Sequence, residues 1–85
     1  MNMKNILKKG FVEMQVKAQG ILQKHKFVLE YEKTPFGNVP YLISEYDLGE
    51  MELVRIANEC QLPVKCGQFK VFPKGKMPLD FTNFK

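Results

Sequence analysis

From Phe11 to Ala18 apolar and polar positions alternate, with Val12, Met14, Val16 and Ala18 on one side and Glu13, Gln15 and Lys17 on the other. A period of two belongs to a half-buried strand, so a first strand is predicted here, broken at Gly20. A second is predicted from about Lys26 to Lys33, turning Phe27, Leu29 and Tyr31 inward and Val28, Glu30 and Glu32 the other way. Thr34-Pro35-Phe36-Gly37-Asn38 is a turn cluster, because Pro35 presets φ and Gly37 or Asn38 accepts a left-handed conformation. A third strand, Val39 to Glu45, closes the hairpin. Pro40 lacks an amide donor and belongs at that strand's start or on a sheet edge.

The period then changes. Asp47 is suited to cap a helix, and Glu50 stands where the reciprocal partner of a capping box would stand. Leu53, Ile56, Ala57 and Cys60, with Val54 at the margin, fall on one face at about 100 degrees per residue, and Glu52, Arg55 and Glu59 fall opposite. Arg55 is spaced to pair with both glutamates in a solvated stripe. Pro63 disfavours helical geometry at Leu62, so the helix ends near Gln61 and a fourth strand is predicted from Val64 to Phe72, with a bulge or close approach at Gly67.

These elements predict an α+β domain over residues 1–85: a two-layer sandwich in which one helix packs on a mostly antiparallel four-stranded sheet, in the order β-β-β-α-β. One helix covers one sheet face. The other face lies open, is covered by the termini or meets a second subunit.

At 85 residues there is material for one core, burying roughly 60 to 65 per cent of the unfolded surface. Apolar residues make up 45% and charged residues 26%, which sets aside disordered and collagen-like classes. No apolar run approaches the roughly 18 residues of a spanning helix, and residues 1–10, with lysines at 4, 8 and 9, lack the apolar stretch of a signal peptide. A cytoplasmic protein without membrane association is the expectation. The net charge of +4 is unevenly laid out: residues 1–33 sum to +4, residues 34–62 to −4 and residues 63–85 to +4. Folding such a chain could separate a basic face from an acidic one.

Candidate chemistry is thin. Cys60 and Cys66 are spaced as neither a redox pair nor a zinc pair and are expected to be thiols, Cys60 as part of the helix's apolar stripe. With His25 the only histidine, no four-ligand metal site is evident, and no cofactor is expected. His25, between Lys24 and Lys26, is expected in a wet turn, without a nucleophile to serve. The acids Glu45, Asp47, Glu50 and Glu52 suit the positive end of a helix dipole.

The most distinctive stretch is Lys65 to Lys76. If Phe69 and Val71 point to the core, then Gln68, Lys70, Phe72 and Lys74 project from the opposite face, interleaving cations with a ring. Lysines neutralise phosphates and rings stack on bases, so Lys65, Gln68, Lys70, Phe72, Lys74 and Lys76, extended by Lys24, His25 and Lys26, form a candidate contact for single-stranded nucleic acid or a protein partner. The same lysines would also protect a sheet edge. The tail, residues 77–85, carries Leu79, Phe81 and Phe84, which must dock on the chain's own sheet or on a partner. The expectation is a non-enzymatic interaction module, contacting another protein or forming a homodimer through its open sheet face and tail. The alternative is a small basic nucleic-acid-binding protein.

Overall fold

The computed structural model describes residues 3–82. Its elements are α1 (Met3–Lys9), β1 (Phe11–Ala18), β2 (Ile21–Thr34), β3 (Gly37–Ser44), α2 (Glu50–Cys60), β4 (Val64–Cys66) and β5 (Phe69–Val71), followed by a 3₁₀ turn at Pro78–Phe81. The class is α+β, as predicted. The sheet has five strands in the order β1-β2-β3-β4-β5. All neighbours are antiparallel except β3 and β4, which run parallel because α2 carries the chain across between them.

The fifth strand arises from a correction at Gly67. Instead of bulging, the chain reverses at Gly67-Gln68, where Gly67 takes a left-handed φ of 61°, and Cys66 faces Phe69 across a new hairpin. The second strand also starts well before Lys26. Gln19 and Gly20 have φ of 53° and 78°, a two-residue turn whose twist suits flanking strands, so β2 begins directly at Ile21. The helix starts later than expected. Its N-cap is Gly49, with no side-chain capping bond, so Asp47 and Glu50 form no capping box.

Residues Leu53, Ile56, Ala57 and Cys60 of α2 are buried in one cluster with Val12, Val16, Phe27, Leu42 and Val64 of the sheet. Ile6 joins that cluster from α1, within the segment that sequence marks only as basic. The polar side of α2 is more than a solvated stripe. Because β1 is an edge strand, its odd residues turn their peptide groups outward. Arg55 Nη2 donates to the Gln15 carbonyl at 2.8 Å, and the Lys17 amide donates to the Glu52 carboxylate. Arg55 also pairs with Glu52 and Glu59, so the helix closes part of an edge otherwise open to another strand. Its hydrogen bond to Arg55, reinforced by the Lys17 amide, holds the Glu52 carboxyl below its ordinary range.

The opposite sheet face carries cross-strand charge pairs: Lys24 lies 4.0 Å from Glu13, and Lys70 lies 2.9 Å from Glu32. At its lower end this face is covered by the chain itself. Tyr41 meets Phe72 edge-on at 5.9 Å, Phe72 meets Phe81 at 6.2 Å, and Phe81 is only 2% exposed. Gly37, with φ of 127°, lets the tail approach closely; a side chain there would meet Thr82 Cβ at 3.3 Å. Leu79 remains exposed, and Phe84 lies outside the described residues. Among the described residues, no helix is long and apolar enough to cross a membrane.

If the tail is held by its own domain, Phe81→Ala is expected to cost about 3 kcal/mol in urea unfolding, whereas Leu79→Ala costs less than about 0.5 kcal/mol. Equal, small losses would mean that the tail is not docked this way.

Candidate interaction surface

The most featured surface lies at the end of the sheet where β3 and β4 finish. Ser44 and Cys66 stand side by side in the parallel ladder, both buried. Beyond them the chain bends sharply. Ser44 Oγ accepts from the Tyr46 amide at 3.2 Å and donates to the Tyr46 carbonyl at 2.9 Å, while Cys66 Sγ donates to the same carbonyl at 3.1 Å. This clamp fixes the Tyr46 backbone. The Tyr46 ring lies stacked on His25, with centroids 3.8 Å apart and planes 19° from parallel.

His25 therefore sits inside a strand and beneath an aromatic ring, not in a wet turn. It faces Met14 across the β1–β2 ladder, on the helix side, and is 5% exposed. Its Nδ1 is buried without a hydrogen-bond partner. Sequence gave little warning of this, because the apolar alternation of β2 is interrupted at Gln23 and Lys24.

Two hollows flank Tyr46 and Asp47. A cleft of about 490 Å³ is lined by Ser44, Cys66, Gln68 and Phe69, with Phe69 70% exposed at its rim. A smaller hollow of about 180 Å³ lies beneath the β1–β2 ribbon, lined by Ala18, Gln19, Gln23 and His25. Phe69 keeps the helix-side orientation expected of it, but the hairpin carries it past the end of the core. The ribbon tip adds Ile21 and Leu22, which are 59% and 64% exposed.

Serine, histidine and cysteine are thus gathered at one end of the molecule. Ser44 Oγ and Cys66 Sγ are both engaged with Tyr46, however, and neither is hydrogen-bonded to His25, so neither is paired with that base. Among the described residues, no group of three or more histidine, cysteine or acidic side chains is placed to hold a metal ion. Cys60 and Cys66 are free thiols; burial pushes the Cys60 thiol up, and its Sγ lies 3.7 Å from Met14 Sδ.

The stripe expected along residues 65–76 is not assembled as one strand face. Lys70 bonds to both carboxylate oxygens of Glu32 at 2.9 Å, with its ammonium over the Tyr41 ring at 5.4 Å. Phe72 does leave on the side opposite the helix, but it packs between Tyr41 and Phe81 instead of offering a free stacking face. Lys74 and Lys76 lie past the strand; the Lys74 amide is tied to Asn58 Oδ1 at 2.8 Å and the Lys76 amide to the Pro73 carbonyl at 3.0 Å. Lys65 is half-buried opposite Lys70, and Gln68 is exposed in the new turn. Lys24 and Lys26 belong to the ribbon, where Lys26 lies over the Phe11 ring at 4.2 Å.

No protein-family model, curated protein or solved structure matches this chain.

The Lys70 hydrogen bond holds the Glu32 carboxyl below its ordinary value, and the same bond raises Lys70. The glutamate's contribution to stability is present above its ordinary value and is lost as pH falls through the depressed one. The lysine's contribution is present below its ordinary value and is lost as pH rises through the elevated one. NMR titration should find Glu32 protonating below the ordinary glutamate value of 4.5 and moving back towards it in Lys70→Ala. An unshifted Glu32 in the unmodified protein would mean that Lys70 is free for other partners.

Proposed function

We propose that this protein is a non-enzymatic interaction module that contacts another protein through the end of the sheet formed by the β1–β2 ribbon and the clefts around Tyr46. The observation that carries this reading is the pair of hollows flanking Tyr46 and Asp47, with Tyr46 and Phe69 exposed among their linings, at the end of the molecule where the ribbon tip exposes Ile21 and Leu22 on opposite faces. Exposed apolar groups scattered singly need no explanation, but Tyr46 and Phe69 border concave ground, as a protein-binding surface does. Ile21 and Leu22 lie outside the buried cluster, so their apolar character adds little to folding.

The charge pattern favours protein over nucleic acid. A phosphate-tracking stripe along β5 needs cations free of nearby acids, yet Lys70 is paired with Glu32. The ring expected to stack on bases, Phe72, is occupied by Tyr41 and Phe81. With Phe81 held by its own domain, Met77 and Leu79 are the exposed apolar members of the tail among the described residues.

Affinity capture from cells that make the protein tests this reading, with Ile21→Asp and Leu22→Asp beside the unmodified chain. The expected outcome is a partner recovered with the unmodified protein and reduced at least about tenfold with either variant, at unchanged unfolding midpoint. Equal recovery by all three proteins would place the contact elsewhere.

A further inference from the structure

The two halves of β2 have different neighbours. Its residues 21–28 pair with β1 and its residues 28–34 pair with β3, so the two ladders share only Val28. In an antiparallel ladder each residue turns its N–H and C=O to the same side. The Leu29 amide donates to the Gly10 carbonyl, on the β1 side, so odd residues of β2 face β1 and even residues face β3. β3 has no register partner in β2 beyond Val28, because the Ser44 clamp turns the chain away. The peptide groups of Leu22, Lys24 and Lys26 thus point into the space along which β3 would have continued, and none has a hydrogen bond among the described residues.

We propose that this open edge receives an extended acidic segment of a partner protein, added to the sheet as a strand beside residues 22–26. The proposal rests on the interaction-module reading above and gives it a partner chemistry and a mode of contact. Charge selects the occupant. On the face away from the helix, the ribbon carries Lys17, Lys24 and Lys26 against the single acid Glu13. An incoming strand places alternate side chains beside Lys24 and Lys26, where carboxylates are favoured, and turns the others towards Gln23 and His25. The small hollow beneath the ribbon, lined in part by Gln23 and His25, gives those side chains room.

A second copy of this chain is a poorer occupant. Antiparallel self-pairing centred on Lys24 sets Lys24 directly against Lys24, and like charges in that position are destabilising. Lysines on an exposed edge generally deter strand pairing. Here they deter neutral and basic strands and leave acidic ones favoured.

The test uses the full chain and two short peptides, one alternating aspartate with valine and one alternating lysine with valine, observed through backbone amide NMR spectra. The aspartate peptide is expected to shift the amides of Leu22, Lys24 and Lys26, to slow their exchange, and to bind at least about tenfold more tightly than the lysine peptide. A Lys24→Glu and Lys26→Glu double variant should reverse that preference. An aspartate peptide methylated on alternate backbone nitrogens should lose binding, because strand addition needs those donors. Failure of both peptides to move these amides overturns the proposal, as does binding indifferent to backbone methylation, or an oligonucleotide that binds these amides more tightly than the aspartate peptide. If partner capture still depends on Ile21 and Leu22 after such a failure, strand addition alone falls; if that dependence also fails, the interaction-module reading falls with it.

Discussion

A single strand too long for either of its neighbours organises this molecule. β2 has 14 residues, whereas β1 and β3 have eight each, and their ladders meet at Val28 without overlapping further. The lower half of β2 lies within a sheet that continues through β3 and β4, supported by α2 and the aromatic group of Tyr41, Phe72 and Phe81. Its upper half belongs to a two-stranded ribbon. Such ribbons are marginal alone in water, so this one depends on what is brought against it.

The support comes from two places that sequence separation hides. α2 packs on the sheet face and, through the side chains of Glu52 and Arg55, bonds to outer-edge peptide groups of β1 that a neighbouring strand would otherwise satisfy. Tyr46, fixed by Ser44 and Cys66, lies over His25 on the helix side of the ribbon. Together they hold the ribbon in place while leaving its other edge unfilled. The same contacts that hold the ribbon therefore leave open the edge at which we propose that a partner strand adds.

Much of the fold was legible because its signals are local. The alternation from Phe11 to Ala18 gives β1 its observed limits, and the stripe of Leu53, Ile56, Ala57 and Cys60 gives the buried face of α2. The misreadings arose where a glycine had two possible roles. Gly20 looked like the end of a strand but, with Gln19, forms a turn tight enough for β2 to start at once. Gly67 looked like a bulge or close approach but reverses the chain, which leaves Phe69 exposed and splits one predicted strand, Val64 to Phe72, into β4 and β5. The proposed interaction surface was less legible still. Its basic members Lys24 and Lys26 stood out as charge, but the stacking of Tyr46 on His25 joins distant residues through a backbone clamp that no sequence period records. The ion pairing of Lys70 with Glu32 was hidden for the same reason, since their proximity depends on strand order.

Native-state hydrogen exchange along β2 in the isolated protein tests the shared-strand architecture most directly. The expected pattern changes parity at Val28: Gln23, His25 and Phe27 are protected while Leu22, Lys24 and Lys26 exchange readily, and beyond it Glu30 and Glu32 are protected while Tyr31 and Lys33 exchange. Protection of Leu22, Lys24 and Lys26 in the isolated protein would contradict the account, because their peptide groups would already be paired and the ribbon would have no edge to offer.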